Sequence, residues 1–149
     1  MRTECLGHVV FYVRNLERSL AFYRDLLGMR AFGPGDLPFP AVGLSSGRTH
    51  HELLLIEVGD APGPMQGRRL GLYHVAFKVG DSLGALRAAH GELVEAGVVV
   101  HGMSDHTVSQ SLYVSDPDGN EVEIYVDDPS VNWRDNPELV LSPIKSLEL

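Results

Sequence analysis

The chain has 149 residues, 44% of them hydrophobic and 21% charged, with a formal net charge of −8. This length suits one domain with a full core or two small modules packed together, and the hydrophobic share lies well outside the disordered regime. The acidic balance, with basic residues scattered and no cluster denser than Arg68-Arg69, argues against nucleic acid and anionic membrane as partners.

No apolar run approaches the length of a bilayer span, and the first twenty residues lack a signal-peptide pattern. The single cysteine, Cys5, rules out an intramolecular disulfide and agrees with a reducing cytoplasm. It reads as a small buried residue near the start of a strand.

In chain order, the first unit opens with LGHVVFYVRNLERSLAFYRDLLGM, Leu6 to Met29. Side chains alternate along a strand, so Val9, Phe11 and Val13 form an apolar face suited to lie under a helix. His8, Val10 and Tyr12 point the other way. Asn15 is an N-cap, because its short side-chain acceptor satisfies the first free helical N–H groups. Leu16, Leu20, Tyr23 and Leu27 then recur at helical spacing, and Gly28 stops the helix. Three strand-like runs follow at about 30–33, 41–45 and 51–58. The glycines and prolines of residues 59–70 mark a linker.

The second unit, LYHVAFKVGDSLGALRAAHGELVEAGV from Leu72 to Val98, repeats the first. One constant offset separates His8 from His74 and Asn15 from Asp81. Val75, Phe77 and Val79 take the helix side; His74, Ala76 and Lys78 take the other. A helix capped by Asp81 carries Leu83, Leu86, His90 and Leu93 on one stripe and ends at Gly97. Strands at about 98–103, 110–115 and 121–127 close the unit. The expected organisation is module one 1–58, linker 59–70, module two 71–128 and a C-terminal tail 129–149. The expected fold is α+β: two tandem βαβββ modules forming a curled, cup-like mixed sheet with helices outside.

His8 and His74 thus occupy equivalent positions on the inward face. On the last strand, Val122, Ile124 and Val126 share a core face, whereas Glu121, Glu123 and Tyr125 share the other. A buried carboxylate needs a cationic partner or a metal. Two imidazoles and one carboxylate converging on a cup suit a metal with open coordination positions; ligand type alone allows iron, zinc, nickel or manganese. The plainer alternative is a pair of hydrogen-bonded core histidines. Glu121 is expected at a shallower, wetter point than Glu123. His101 is expected on an edge-like strand, and Trp133 as an anchor for the tail or at a dimer contact. Leu37 and Phe39 suggest an apolar rim.

The repeated unit, the opening LGHVVFYVRNLERSLAFYRDLLGM and the ending DPDGNEVEI resemble the vicinal oxygen chelate superfamily, which includes glyoxalase I, extradiol ring-cleaving dioxygenases, and bleomycin- and fosfomycin-resistance proteins. The resemblance covers nearly the whole chain to about Asp128. It implies His8, His74 and Glu123 as metal ligands. SDHTVSQSLYVSDPDGNEVEIYVDDP and THHELLLIEV look most like the catechol 2,3-dioxygenase branch. That branch implies His106 and Tyr113 as catalytic residues, Fe(II) as the favoured metal (Mn, Zn or Ni as alternatives), and a catecholic or other vicinal-oxygen small molecule as substrate. It also implies a homodimer. The chain departs from the branch in having one pair of modules, a shorter His106-to-Tyr113 spacing, and no clear second acid–base histidine, for which His50 and His51 are the nearest candidates. A glyoxalase-like lyase or isomerase needs a fourth ligand, and the repeat offset offers Glu57. A register placing Leu54 there instead favours the dioxygenase. The third alternative is a metal-free antibiotic-binding protein.

Overall fold

Residues 1–65 and 66–149 form two compact units, each built as strand, helix and three strands. The structure, a computed structural model, describes residues 1–65, 67–68 and 70–149. Gln66 and Arg69, both in the expected linker and the latter half of the Arg68-Arg69 pair, lie outside the described residues.

In unit one, β1 (Val9–Val13) leads to α1 (Leu16–Leu20), then to β2 (Arg30–Phe32), β3 (Ala41–Ser45) and β4 (Leu53–Glu57). The sheet order is β1-β4-β3-β2, with β1 and β4 parallel and the other pairs antiparallel. The alternation in β1 has the expected sense: Phe11 and Val13 are buried, whereas Val10 and Tyr12 are exposed. Asn15 caps α1 by accepting the Arg18 N–H. Beyond Leu20 the backbone widens into a π-helical segment, Ala21–Leu26, where the Leu27 N–H reaches back to the Phe22 carbonyl. Tyr23 still turns inward, packed edge-on against Phe22 at 5.0 Å between centroids. Gly28, at φ +71°, ends the helix in a conformation that glycine adopts without a Cβ penalty.

Unit two runs β5 (His74–Gly80), α2 (Leu83–Glu95), β6 (Val100–Asp105), β7 (Ser109–Ser115) and β8 (Glu121–Asp127). The tail adds a short 3₁₀ turn, Pro137–Leu141, and a two-residue strand, β9 (Lys145–Ser146). The order is β5-β8-β7-β6-β9, with β5 parallel to β8 and the rest antiparallel. Leu112, Val114, Val122, Ile124 and Val126 are all at most 1% exposed. The core face expected for β8, Val122, Ile124 and Val126, is the buried one, and each such side chain contributes roughly 1.5–3 kcal/mol by leaving water.

Several expectations need correction. The cap of α2 is Ser82, whose side chain accepts the Ala85 N–H; Asp81 instead pairs with the Lys78 ammonium. Val79 is 40% exposed because the β5–β8 register slips between Lys78 and Gly80, which displaces it from the helix side. Cys5 is exposed, since pairing on β1 begins only at Val9 and the preceding segment has no sheet to bury it. The tail contributes β9, too short to show any alternation. It covers Ser104 and Asp105 of β6, so only the opposite end of that strand is edge-like. Trp133 is 40% exposed, with the Arg134 guanidinium over its ring.

Candidate metal and acid–base site

Four of the five expected site residues meet in unit two. The parallel ladder sets His74 beside Glu121 and Ala76 beside Glu123, so both carboxylates rise on the face that carries the imidazole. His74 Nε2 is 3.1 Å from Glu123 Oε2, and its Nδ1 is 3.3 Å from Glu121 Oε1. Glu123 is the more sheltered of the two, its side chain 12% exposed against 31% for Glu121, as the sequence suggested.

The antiparallel ladder between β7 and β8 places Tyr113 directly opposite Glu123. The Tyr113 hydroxyl lies 2.7 Å from His106 Nε2 and donates to Glu123 Oε1 at 3.4 Å. Burial, then the Glu123 charge, pushes the Tyr113 phenol up to about 12. His106 sits in the tight connection between β6 and β7. Thr107 adopts φ +72° there, and its N–H is bound by the Asp105 side chain at 2.7 Å. Backbone bonds within this turn, His106 N–H to Ser109 O among them, fix where the imidazole begins.

Ser111 was not singled out from the sequence. It is fully buried and donates its hydroxyl to Glu123 Oε1 at 2.5 Å. The signal was present, since Ser111 and Tyr113 share one face of β7, but a serine on a strand is common and only the pairing with β8 makes it informative.

In unit one, His8 is exposed and stacks on His51 at 4.4 Å between centroids. His51 Nδ1 in turn lies 2.5 Å from His50 Nδ1. Burial first, then the neighbouring His8 and His50, lowers the His51 pKa. His50 is exposed in the turn before β4.

The β1–β4 register decides between Leu54 and Glu57. Val10 pairs with Leu54 as Ala76 pairs with Glu123, and Val10 follows His8 at the same interval as Ala76 follows His74. Leu54 is thus the structural counterpart of Glu123. Glu57 pairs with Val13, and its Oε2 accepts the Leu16 N–H at 2.8 Å, closing the first turn of α1.

The donor set of unit two suits a divalent metal. An imidazole nitrogen and a carboxylate oxygen face each other, and the second oxygen of Glu123 is already bound by Ser111. Among the described residues no three His, Cys, Asp or Glu side chains group at metal-binding distances. Within unit two the reason is geometric: Glu121 and Glu123 lie on different nitrogens of one ring, so only one of them can share a metal with Nε2. A third donor has to come from outside this pair.

Residues 5–124 match the Glyoxalase/Bleomycin resistance protein/Dioxygenase superfamily, and the chain belongs to it. The chain is 35% identical over 130 residues to catechol-2,3-dioxygenase of Bacillus subtilis, covering 87% of this chain and 44% of that protein. It is 32% identical over 127 residues to lactoylglutathione lyase of Neisseria meningitidis, covering 79% of this chain and 87% of that protein. The chain thus spans under half the length of that Bacillus subtilis dioxygenase. A glyoxylase/bleomycin resistance protein/dioxygenase domain from Frankia shares the fold, with a TM-score of 0.68 and 22% identity over 90% of this chain and 99% of that one. Among the described residues no helix is long and apolar enough to cross a membrane.

Proposed function

We propose that the protein is a metal-dependent, extradiol-type dioxygenase acting on a catecholic or related vicinal-diol small molecule. His8, His74 and Glu123, the residues that the sequence repeat and the superfamily resemblance imply, are the ligands in this reading, with Fe(II) as the metal and a homodimer as the working form. The observation that carries it is the β1–β4 register: Leu54 stands where a lyase of this superfamily would need a fourth ligand. The catechol-2,3-dioxygenase relative supports the same choice. When bound, the metal supplies Lewis acidity that makes a coordinated substrate hydroxyl easier to ionise.

The protein's own groups supply the rest. His106 Nε2, hydrogen-bonded to the Tyr113 hydroxyl, is placed to take or return a proton at a substrate oxygen, the role a histidine most often fills in general acid–base catalysis. Tyr113, held neutral by burial and by the Glu123 charge, offers an O–H rather than an anion, which suits it to donate to an oxygen gaining negative charge. His51, beside His8, is the nearest candidate for a second acid–base residue.

The test is oxygen uptake by protein loaded anaerobically with Fe(II) and given a panel of catechols, with Glu123→Ala as control. Uptake with a yellow ring-opened product, lost in the variant, is the expected result. Fe(II) binding without uptake on any catechol would refute the dioxygenase reading and favour the lyase, for which hemithioacetal isomerisation is the assay.

A further inference from the structure

We infer that Glu121 is the positioning residue of His74: it holds the imidazole in the tautomer that leaves Nε2 free to bind a metal. The inference deepens the metal reading above and rests on it.

A neutral imidazole carries one N–H and one lone pair, and what each nitrogen faces decides which it bears. At His74 both nitrogens face a carboxylate, Glu121 Oε1 at Nδ1 and Glu123 Oε2 at Nε2. With the N–H on Nε2, His74 donates to Glu123 and two ligand atoms close on each other. With the N–H on Nδ1, His74 donates to Glu121, and the Nε2 lone pair and Glu123 Oε2 both stay available. Glu121 tips this balance toward the second arrangement. Metal-binding histidines commonly donate their other N–H to a carboxylate, which fixes the ring and raises ligand basicity.

Glu121 is itself held. The neighbouring Glu121 carboxylate raises the Tyr73 pKa. The Glu121 backbone neighbours His74 directly across the parallel ladder. Ser111 plays the matching part for Glu123 by binding Oε1, so that Oε2 is the oxygen turned to His74. Two acidic residues share one face of β8 because they have different tasks: Glu123 binds and Glu121 aims.

The experiment measures Co(II) affinity by chelator competition on the full chain and on Glu121→Gln, Glu121→Ala and Glu123→Ala, with thermal unfolding as a check on folding. The His74 tautomer is read from ¹⁵N ring shifts of the metal-free protein. Glu121→Ala is expected to weaken binding about 10–100-fold and to move the His74 proton from Nδ1 toward Nε2. Glu121→Gln, whose amide oxygen still accepts the Nδ1–H, is expected to fall between. Glu123→Ala is expected to lose more affinity than either. Unchanged affinity and tautomer in Glu121→Ala, with metal lost in Glu123→Ala, would overturn the role of Glu121 and leave the metal reading standing. Loss in Glu121→Ala as complete as in Glu123→Ala would make Glu121 a ligand and overturn positioning. No Co(II) binding by the parent chain would overturn both.

Discussion

Replacing Glu57 with alanine separates the two registers: with Leu54 as the counterpart of Glu123 it costs stability and leaves metal affinity unchanged, whereas with Glu57 as a ligand it costs affinity. In the structure, Glu57 Oε2 accepts the Leu16 N–H at 2.8 Å, one of the amides a helix start leaves without an intrahelical partner. A charged acceptor there combines a capping bond, about 0.5–2 kcal/mol, with attraction to the positive end of the helix, about 0.3–1 kcal/mol. Asn15 still holds the Arg18 N–H and Glu57 is partly solvated, so a net loss of about 1–2 kcal/mol is expected. For a chain of this size each kcal/mol shifts Tm by about 2–4 °C, giving a fall of about 2–8 °C. Scanning calorimetry measures it, and Glu57→Gln should recover part of the loss because its amide oxygen can still accept. Co(II) affinity should be unchanged in both variants. A tenfold or larger rise in Kd for Glu57→Ala would make Glu57 a ligand, remove Leu54 as the counterpart of Glu123, and turn the functional choice to the lyase.

At Gly80, a Cβ would stand 2.7 Å from the Ala85 Cβ, an atom fixed to the helix backbone. Gly80→Ala should therefore destabilise by about 1–3 kcal/mol in urea unfolding, and a neutral result would refute the close β5–α2 approach. Gly102→Ala, whose Cβ meets only the Tyr113 ring at 3.7 Å, serves as the mild control. Tyr113 has a folded pKa of about 12, above its unfolded value near 10. Its contribution is fully present below pH 10 and is lost as pH rises toward 12. The full linkage value of about 2.7 kcal/mol falls to roughly 1–2 kcal/mol when screened at a half-buried site. Tyr113→Phe should thus lose less stability than the parent between pH 10 and 12, and parallel profiles would refute the shift.

Much of the layout was legible in the residues. Strand faces follow from a period of two and the helices from their apolar stripes. Both periods belong to neighbours in the chain and need no knowledge of the fold. The repeat then brought His8 and His74 into correspondence, and alternation put Glu121 and Glu123 on one side of β8. Elements defined by one local decision fared worse: α2 is capped by Ser82 because its hydroxyl closes the first turn while Asp81 is drawn to Lys78, and Val79 leaves its face where the ladder slips. What only the tertiary structure decided is which strand residues stand opposite one another. The sequence left Glu57 and Leu54 as alternative registers, whereas the parallel pairing of β1 with β4 selects Leu54, and the pairings of β8 with β5 and β7 give Glu121, Ser111 and Tyr113 their partners. Alternation along one strand sets which way a side chain faces, but the hydrogen-bond register between distant segments sets what it meets, and that register is fixed by burying both strands' apolar faces together.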